Sequence, residues 1–377
     1  MLYEETTNDV KWTDLGLGLG FMRHRQIANK PEYEIIQSTI ALNDSVITAE
    51  LQNVINRLRL IVVALDDSKL RLIIDETDGI RARFQPLDAL KDATNLKTSK
   101  FLKVEIQEKL TLIVLENTAK LLLNHKPFRM DFSMYDEIVL SVNSANLLKF
   151  EHYRLKNESS EMNDGEGFWE ETFKAYKDTK PFGRIFICYF KSFIFIYTLI
   201  HSGNFRNFIL GSSSVGLDFS FIGYKYVYGL PEHADSFVLK STKGIDPYRL
   251  YNLDVFEFEV NNQMSLYGSV PFLMAHNKEL TLAILWLNAA ETWVDISSST
   301  ADKGMLRALV DKFKTSSEVP QVDAHFISES GLIDVFFMLG PKPSDIFRQN
   351  SALTGVFPLP PVNFFLFIFN ILNLKFC

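Results

Sequence analysis

The chain has 377 residues, 47% hydrophobic and 23% charged, enough for one large globular domain or two ordinary ones with a substantial core. A formal charge of −7, with no stretch that concentrates lysine and arginine, argues against a nucleic-acid partner and gives little attraction to an anionic membrane. The two cysteines, Cys188 and Cys377, exclude a disulfide framework, and neither has the neighbours that a thiolate metal site needs.

The first thirty residues are of mixed character and read as a divergent leader. They show no basic, apolar, small-residue succession of a signal peptide. Gly16, Gly18 and Gly20 form an LGLGLG run, but no strand precedes it and no helical pattern follows, so it is no dinucleotide fingerprint. Asn-x-Ser sequons stand at Asn43 and Asn157 and carry meaning only in a secretory compartment.

From Ser45 the pattern becomes β. Leu58–Leu65 and Lys69–Asp75 are strand-like runs joined by Asp66, Asp67 and Ser68, which predicts a hairpin. Lys69 and Arg71 alternate with Leu70 and Leu72, which predicts one wet face for the second strand. Further strands are predicted at Phe101–Ile106, Leu110–Leu115, Lys120–Leu123, Phe128–Phe132, Ile138–Val142 and Leu148–Tyr153, with turn residues between them. Short strands at this spacing predict an antiparallel sandwich, and the lack of β-helix-β alternation speaks against a doubly wound sheet.

Glu158–Gly167 is polar and acidic and predicts an exposed loop. Ile185–Ile200 (IFICYFKSFIFIYTLI) then breaks the composition abruptly. Three readings are open: a membrane segment, though a span normally needs about twenty apolar residues; an unusually long buried strand; or non-coding sequence translated in frame. The β pattern resumes at Ser214–Phe221 and continues through Leu280–Asn288, Thr292–Ile296 and Gly331–Leu339. Asp302–Phe313 carries Met305, Leu306, Leu309, Val310 and Phe313 at helical spacing, as a helix packed on the sandwich would. Pro343 and Ser344 open a short helix, with Ser344 as its expected cap and Gly355 just past its end. The tail after Pro361 repeats the Phe/Ile/Leu/Asn bias of 185–200.

The stretch Tyr226–Asn277 mixes aromatics, glycines, prolines and carboxylates in short strand-and-turn units. Glu232 and Asp254 lie there beside turn residues, where functional groups on a rigid β-scaffold are expected. Glu232 and His233 suggest an acid/base pair, but neighbouring residues of a strand point to opposite faces, and hydrogen bonding that fixes the turn is the preferred role. His276 and His325 lie far from clustered carboxylates, which gives no metal site. Trp286 and Trp293 flank apolar strands and read as core. Asp254 is either a solvated strand-end carboxylate or a sugar ligand.

The blocks Tyr228–Asp235 (YGLPEHAD), Pro247–Phe256 (PYRLYNLDVF), Leu266–Pro271 (LYGSVP), Trp286–Ile296 (WLNAAETWVDI), Ser328–Phe336 (SESGLIDVF) and Leu339–Thr354 (LGPKPSDIFRQNSALT) resemble the catalytic α-subunits of endoplasmic-reticulum glucosidase II, neutral α-glucosidases of glycoside hydrolase family 31. Lys126–Phe132 (KPFRMDF), Val139–Asn143, Phe150–His152 and Trp169–Phe173 (WEETF) extend the likeness over roughly 31–183 and 211–361. The resemblance implies a mainly β fold, a galactose-mutarotase-like antiparallel β-sandwich with a few short helices that in the family packs on a following (β/α)₈ barrel.

It further implies that Asp254, at the NLD position, lies on a sandwich loop reaching into the barrel's sugar pocket. A carboxylate there accepts hydrogen bonds from glucose hydroxyls. Retaining hydrolysis needs two carboxylates about 5–5.5 Å apart; in the family both are barrel aspartates, one in a W-x-D-M-N-E motif that this sequence lacks. The chain is therefore expected to carry no catalytic residue and no cofactor. The rival reading, a self-sufficient glycosidase, would use Glu232 and Asp254; another is a membrane-anchored β-domain.

A glucose-terminated N-glycan, a regulatory β-subunit and the endoplasmic-reticulum lumen are the implied substrate, partner and compartment. The expected organisation is a leader (1–30), a first part of the sandwich (31–183), an apolar insertion (184–210), the rest of the sandwich (211–361) and an apolar tail (362–377), the chain being cut before the barrel. The insertion and tail read as translated introns, and an exposed Phe-rich insertion predicts poor solubility.

Overall fold

The computed structural model describes residues 32–54, 56–153, 213–299 and 319–356. The segments 1–30, 184–210 and 362–377 and the helix expected at Asp302–Phe313 lie outside them. In chain order, β1 (Glu34–Asn43), β2 (Val46–Gln52), β3 (Arg57–Leu65) and β4 (Lys69–Glu76) form one meander, and β5 (Lys103–Ile106), β6 (Leu110–Val114), β7 (Lys120–Asn124), β8 (Arg129–Met134) and β9 (Glu137–Val142) form another. Then follow β10 (Lys149–Phe150), β11 (Val215–Ile222), β12 (Val227–Gly229), β13 (Tyr248–Leu250), β14 (Phe272–His276), β15 (Thr281–Trp286), β16 (Thr292–Ser298), β17 (Gln321–Ser328) and β18 (Ile333–Met338). The helix α1 spans Pro343–Thr354.

Two antiparallel sheets result. One has the order β1-β2-β3-β4-β18-β15-β14-β12; the other runs β13-β16-β17-β11-β9-β8-β7-β6-β5, with β10 paired to β11. Period-two burial in β2, β3 and β7 turns one face of each strand inward, as a two-sheet sandwich requires. Aromatics from both sheets meet at the centre. Phe132 of β8 lies 4.8 Å from Phe337 of β18, and Phe219 of β11 meets Trp286 of β15 edge-on at 6.3 Å. The indole N–H of Trp286 donates to Ser328 Oγ at 2.8 Å, so its one polar atom is satisfied inside the core.

Part of the outer face of the eight-stranded sheet is covered. Ile346 and Leu353 of α1 cover Leu285, Phe336 and Met338, forming a second apolar cluster with Leu65 and Leu90. This overturns the expected wet face of β4: Lys69 and Arg71 are both buried. Arg71 donates from Nε and Nη2 to the two carboxylate oxygens of the fully buried Asp334 at 2.9 and 2.7 Å, and its guanidinium lies 4.9 Å over the Phe336 ring. Ser344 is not the helix cap; Lys342 occupies that position, and its backbone N–H donates to Asp345 Oδ2 at 3.1 Å.

Arg83 ties together four distant pieces of chain. Its guanidinium donates to Glu76 Oε1, to the carbonyls of Ser213 (3.0 Å) and Gly331 (2.8 Å) and to the Glu151 carbonyl, with the rings of Phe150 and Tyr153 at 4.4 and 4.3 Å. Phe150 pairs with Val215, and Glu151 N–H donates to the Ser214 carbonyl at 3.0 Å. Phe150–Tyr153 and Ser213–Val215 thus meet at one point of the sandwich.

Candidate functional site

Residues 226–277 contain only the three short strands β12, β13 and β14, joined by long loops that side-chain and backbone bonds hold in place. Gly229, at φ +117°, lets the chain turn hard against β14; a Cβ there would come within 2.3 Å of the Phe272 carbonyl oxygen. The following loop is pinned by the buried Tyr248, whose hydroxyl accepts the Lys240 N–H at 2.8 Å. Burial raises the Tyr248 phenol above its ordinary value, so it remains neutral.

His233 lies edge-on to Tyr248 at 5.2 Å and donates from Nδ1 to the Met264 carbonyl at 3.0 Å. That bond places the ring proton on Nδ1. Glu232 Oε2 accepts the Gly268 N–H at 3.0 Å, and the Glu232 N–H donates to the Gly268 carbonyl at 2.9 Å. Both groups of the apparent acid/base pair are thus bound to neighbouring backbone.

Asp254 has a different setting. It sits on the loop between β13 and β14, it is exposed, and its carboxylate is engaged by no other described residue. Its two neighbours are fixed: Leu253 N–H donates to the Leu266 carbonyl at 2.7 Å, and the Val255 carbonyl accepts the Tyr267 hydroxyl at 2.8 Å. Leu266 also donates its N–H to the Glu232 carbonyl at 3.2 Å, so the Glu232 and Asp254 segments flank it. The result is a free carboxylate on a tethered backbone. Beyond it Phe256 is 97% exposed, and Phe258 and Val260 are exposed as well.

Behind this loop lies a cleft of about 470 Å³ whose walls include Lys240, Arg249, Leu253, Gln263, Met264 and Trp293. Trp293 is nearly buried, and its indole N–H donates to Glu291 Oε1 at 2.7 Å; Arg249 Nε donates to the same oxygen at 2.6 Å. Trp286 belongs to the packed core as expected, whereas Trp293, expected there too, lines the cleft and joins neither apolar cluster. His276 Nδ1 contacts Thr281 Oγ1 at 3.0 Å at the surface, while His325 lies on β17 in the other sheet. Among the described residues no group of three His, Cys, Asp or Glu could hold a metal ion, and no helix is long and apolar enough to cross a membrane. The anchors of Asp254, Leu266 and Tyr267, were visible in the sequence only as part of the LYGSVP block; nothing in their spacing announced the role.

Two facing antiparallel sheets define a mutarotase-like sandwich. The family model described as "Glycosyl hydrolase 31 N-terminal galactose mutarotase-like domain" matches residues 59–295, and the chain belongs to glycoside hydrolase family 31. It is 39% identical over 362 residues to the neutral alpha-glucosidase AB of Mus musculus, a match covering 88% of this chain and 35% of the relative. A glucosidase II alpha subunit solved in its alpha3-Glc2-bound form superposes with a TM-score of 0.68 at 30% identity, covering 91% of this chain and 37% of that one. The catalytic subunit of an ER glucosidase II heterodimer, solved with the binding domain of its regulatory subunit, gives 0.66 at 30% identity, with 89% and 36% covered. The chain therefore corresponds to the N-terminal domain of a glucosidase II-like α-glucosidase and spans about a third of the length of the relatives it matches.

Proposed function

We propose that this sandwich is the sugar-contacting N-terminal part of a glucosidase II-like enzyme, and that Asp254 is its sugar ligand. The observation that carries the reading is the free, exposed Asp254 carboxylate between two anchored neighbours. An acceptor-only group held without an internal partner suits the hydroxyls of a terminal glucose, and a fixed backbone lowers the entropy cost of binding. The catalytic carboxylates belong to the barrel of the complete relatives, so Asp254 forms one wall of a pocket and not its chemistry. The complete enzyme would trim glucose from N-glycans in the endoplasmic-reticulum lumen, in company with a regulatory β-subunit. The apolar segments 184–210 and 362–377 are, in this proposal, translated introns; transcript reads across both junctions that retain them would remove that part.

An assay of the purified chain on an aryl α-glucoside tests the division of labour. No turnover is expected. Turnover lost on Asp254→Asn would instead make the sandwich a glycosidase in its own right.

A further inference from the structure

We infer that Asn43 is an N-glycan acceptor, displayed on the turn between β1 and β2. The inference rests on the proposed placement of the chain in the endoplasmic-reticulum lumen. Asn43, Asp44 and Ser45 form an Asn-x-Ser sequon with a residue other than proline in the middle. The fold puts this sequon where a glycan can stand. Asn43 pairs with Val46, which leaves Asp44 and Ser45 as a two-residue turn, and Leu42, Asn43 and Asp44 are all exposed.

The hydrogen bonding also leaves the reacting atom free. Asn43 Oδ1 accepts the Asp44 N–H at 2.7 Å, whereas Asn43 Nδ2 donates to no described residue. Replacing one Nδ2 hydrogen by a sugar therefore breaks no bond of the folded chain. Other contacts hold the turn: Lys100 Nζ meets Asp44 Oδ2 at 2.9 Å, Phe101 N–H donates to the Asp44 carbonyl at 3.0 Å, and Ala64 N–H donates to the Ser45 carbonyl at 2.8 Å. A glycan here would extend from the end of edge strand β1, at the side of the eight-stranded sheet opposite β12.

The step is a glycosyl transfer from a lipid-linked diphosphate oligosaccharide. The bond from sugar C1 to the diphosphate oxygen breaks, the bond from C1 to Asn43 Nδ2 forms, Nδ2 gives up one proton to a base of the transferase, and the lipid diphosphate departs. No oxidant or reductant is required.

The test is the full chain expressed in eukaryotic cells behind a cleavable secretion leader, with a reporter sequon on a C-terminal tag. Endoglycosidase digestion and peptide mass spectrometry read each site separately, Asn157 included. The expected result is a glycan on the Asn43 peptide that disappears, with one step of gel mobility, in both Asn43→Gln and Ser45→Ala. A glycosylated reporter beside an unmodified Asn43 would overturn the inference. Finding the native chain outside the lumen would defeat the proposed compartment without altering occupancy at Asn43 in the leader-directed protein.

Discussion

The carboxylate of Glu232 caps the backbone N–H of Gly268 at 3.0 Å, while the Glu232 N–H returns a bond to the Gly268 carbonyl at 2.9 Å. This pair joins the PEHAD turn to the LYGSVP turn, which in turn anchors the neighbours of Asp254. Glu232 therefore works as a brace. Glu232→Gln, which keeps an acceptor oxygen, is expected to hold stability within about 0.5 kcal/mol, and Glu232→Ala to cost about 1 kcal/mol for a partly solvated bond. Denaturant midpoints at constant m distinguish the two. An equal loss in both variants would show that the charge matters and the bond does not.

Arg71 and Asp334 form a bidentate pair in which the carboxylate is fully buried. Removing the cation leaves that charge without compensation. Arg71→Met is expected to cost about 3–5 kcal/mol, with Arg71→Met/Asp334→Leu regaining most of the loss. Urea unfolding of both variants checks this, and a double variant as weak as the single would contradict it.

Arg83 engages every N–H of its guanidinium between two aromatic rings. Lysine has three donors and no planar fork, so Arg83→Lys is expected to cost about 3 kcal/mol. The loss should appear first where Glu151 meets Ser214, as faster hydrogen exchange at the Glu151 amide. Unchanged exchange at that amide would mean that β10 and β11 hold the junction without the arginine.

Tyr33 is almost fully buried, and burial pushes its phenol from 10.0 up to about 12 against the smaller opposing effect of its Asn56 contact. A raised phenol binds its proton more tightly in the folded chain. Its stabilisation is fully present below the unfolded value near 10 and is lost as pH rises through about 12, a loss of roughly 2–3 kcal/mol. Tyr33→Phe should flatten that part of the alkaline stability curve. Parallel curves for the two proteins between those pH values would exclude the effect.

Much of the sandwich was legible in the sequence, because period-two patterning and turn residues are local. The β3–β4 hairpin and the packing of Trp286 follow from neighbours within a few positions. The wet face assigned to β4 was wrong because the partner that lets Arg71 be buried, Asp334 of β18, lies 263 residues further along the chain. Strand β1 carries Glu34, Gln37 and Ser38 among its apolar residues, a mixture that hid it until its pairing with β2 was seen. Strand β17 alternates Val322, Ala324 and Phe326 inward with polar residues outward, yet His325 and Asp323 masked it. Glu232, His233 and Asp254 are alike as titratable residues beside turns; only tertiary hydrogen bonds separate two bound groups from one free carboxylate.

Asp254 is the point on which the functional reading turns. Since it is exposed and has no described partner, Asp254→Asn should leave the melting temperature of this chain unchanged. The direct measurement grafts residues 32–183 joined to 211–356 in place of the corresponding region of the mouse neutral alpha-glucosidase AB, and compares kcat/KM on an aryl α-glucoside with and without Asp254→Asn. Loss of one charge-assisted contact to the sugar predicts a fall of at least about tenfold in an otherwise active, equally stable graft. An Asp254→Asn graft with unchanged kcat/KM would contradict the assignment of Asp254 to the sugar.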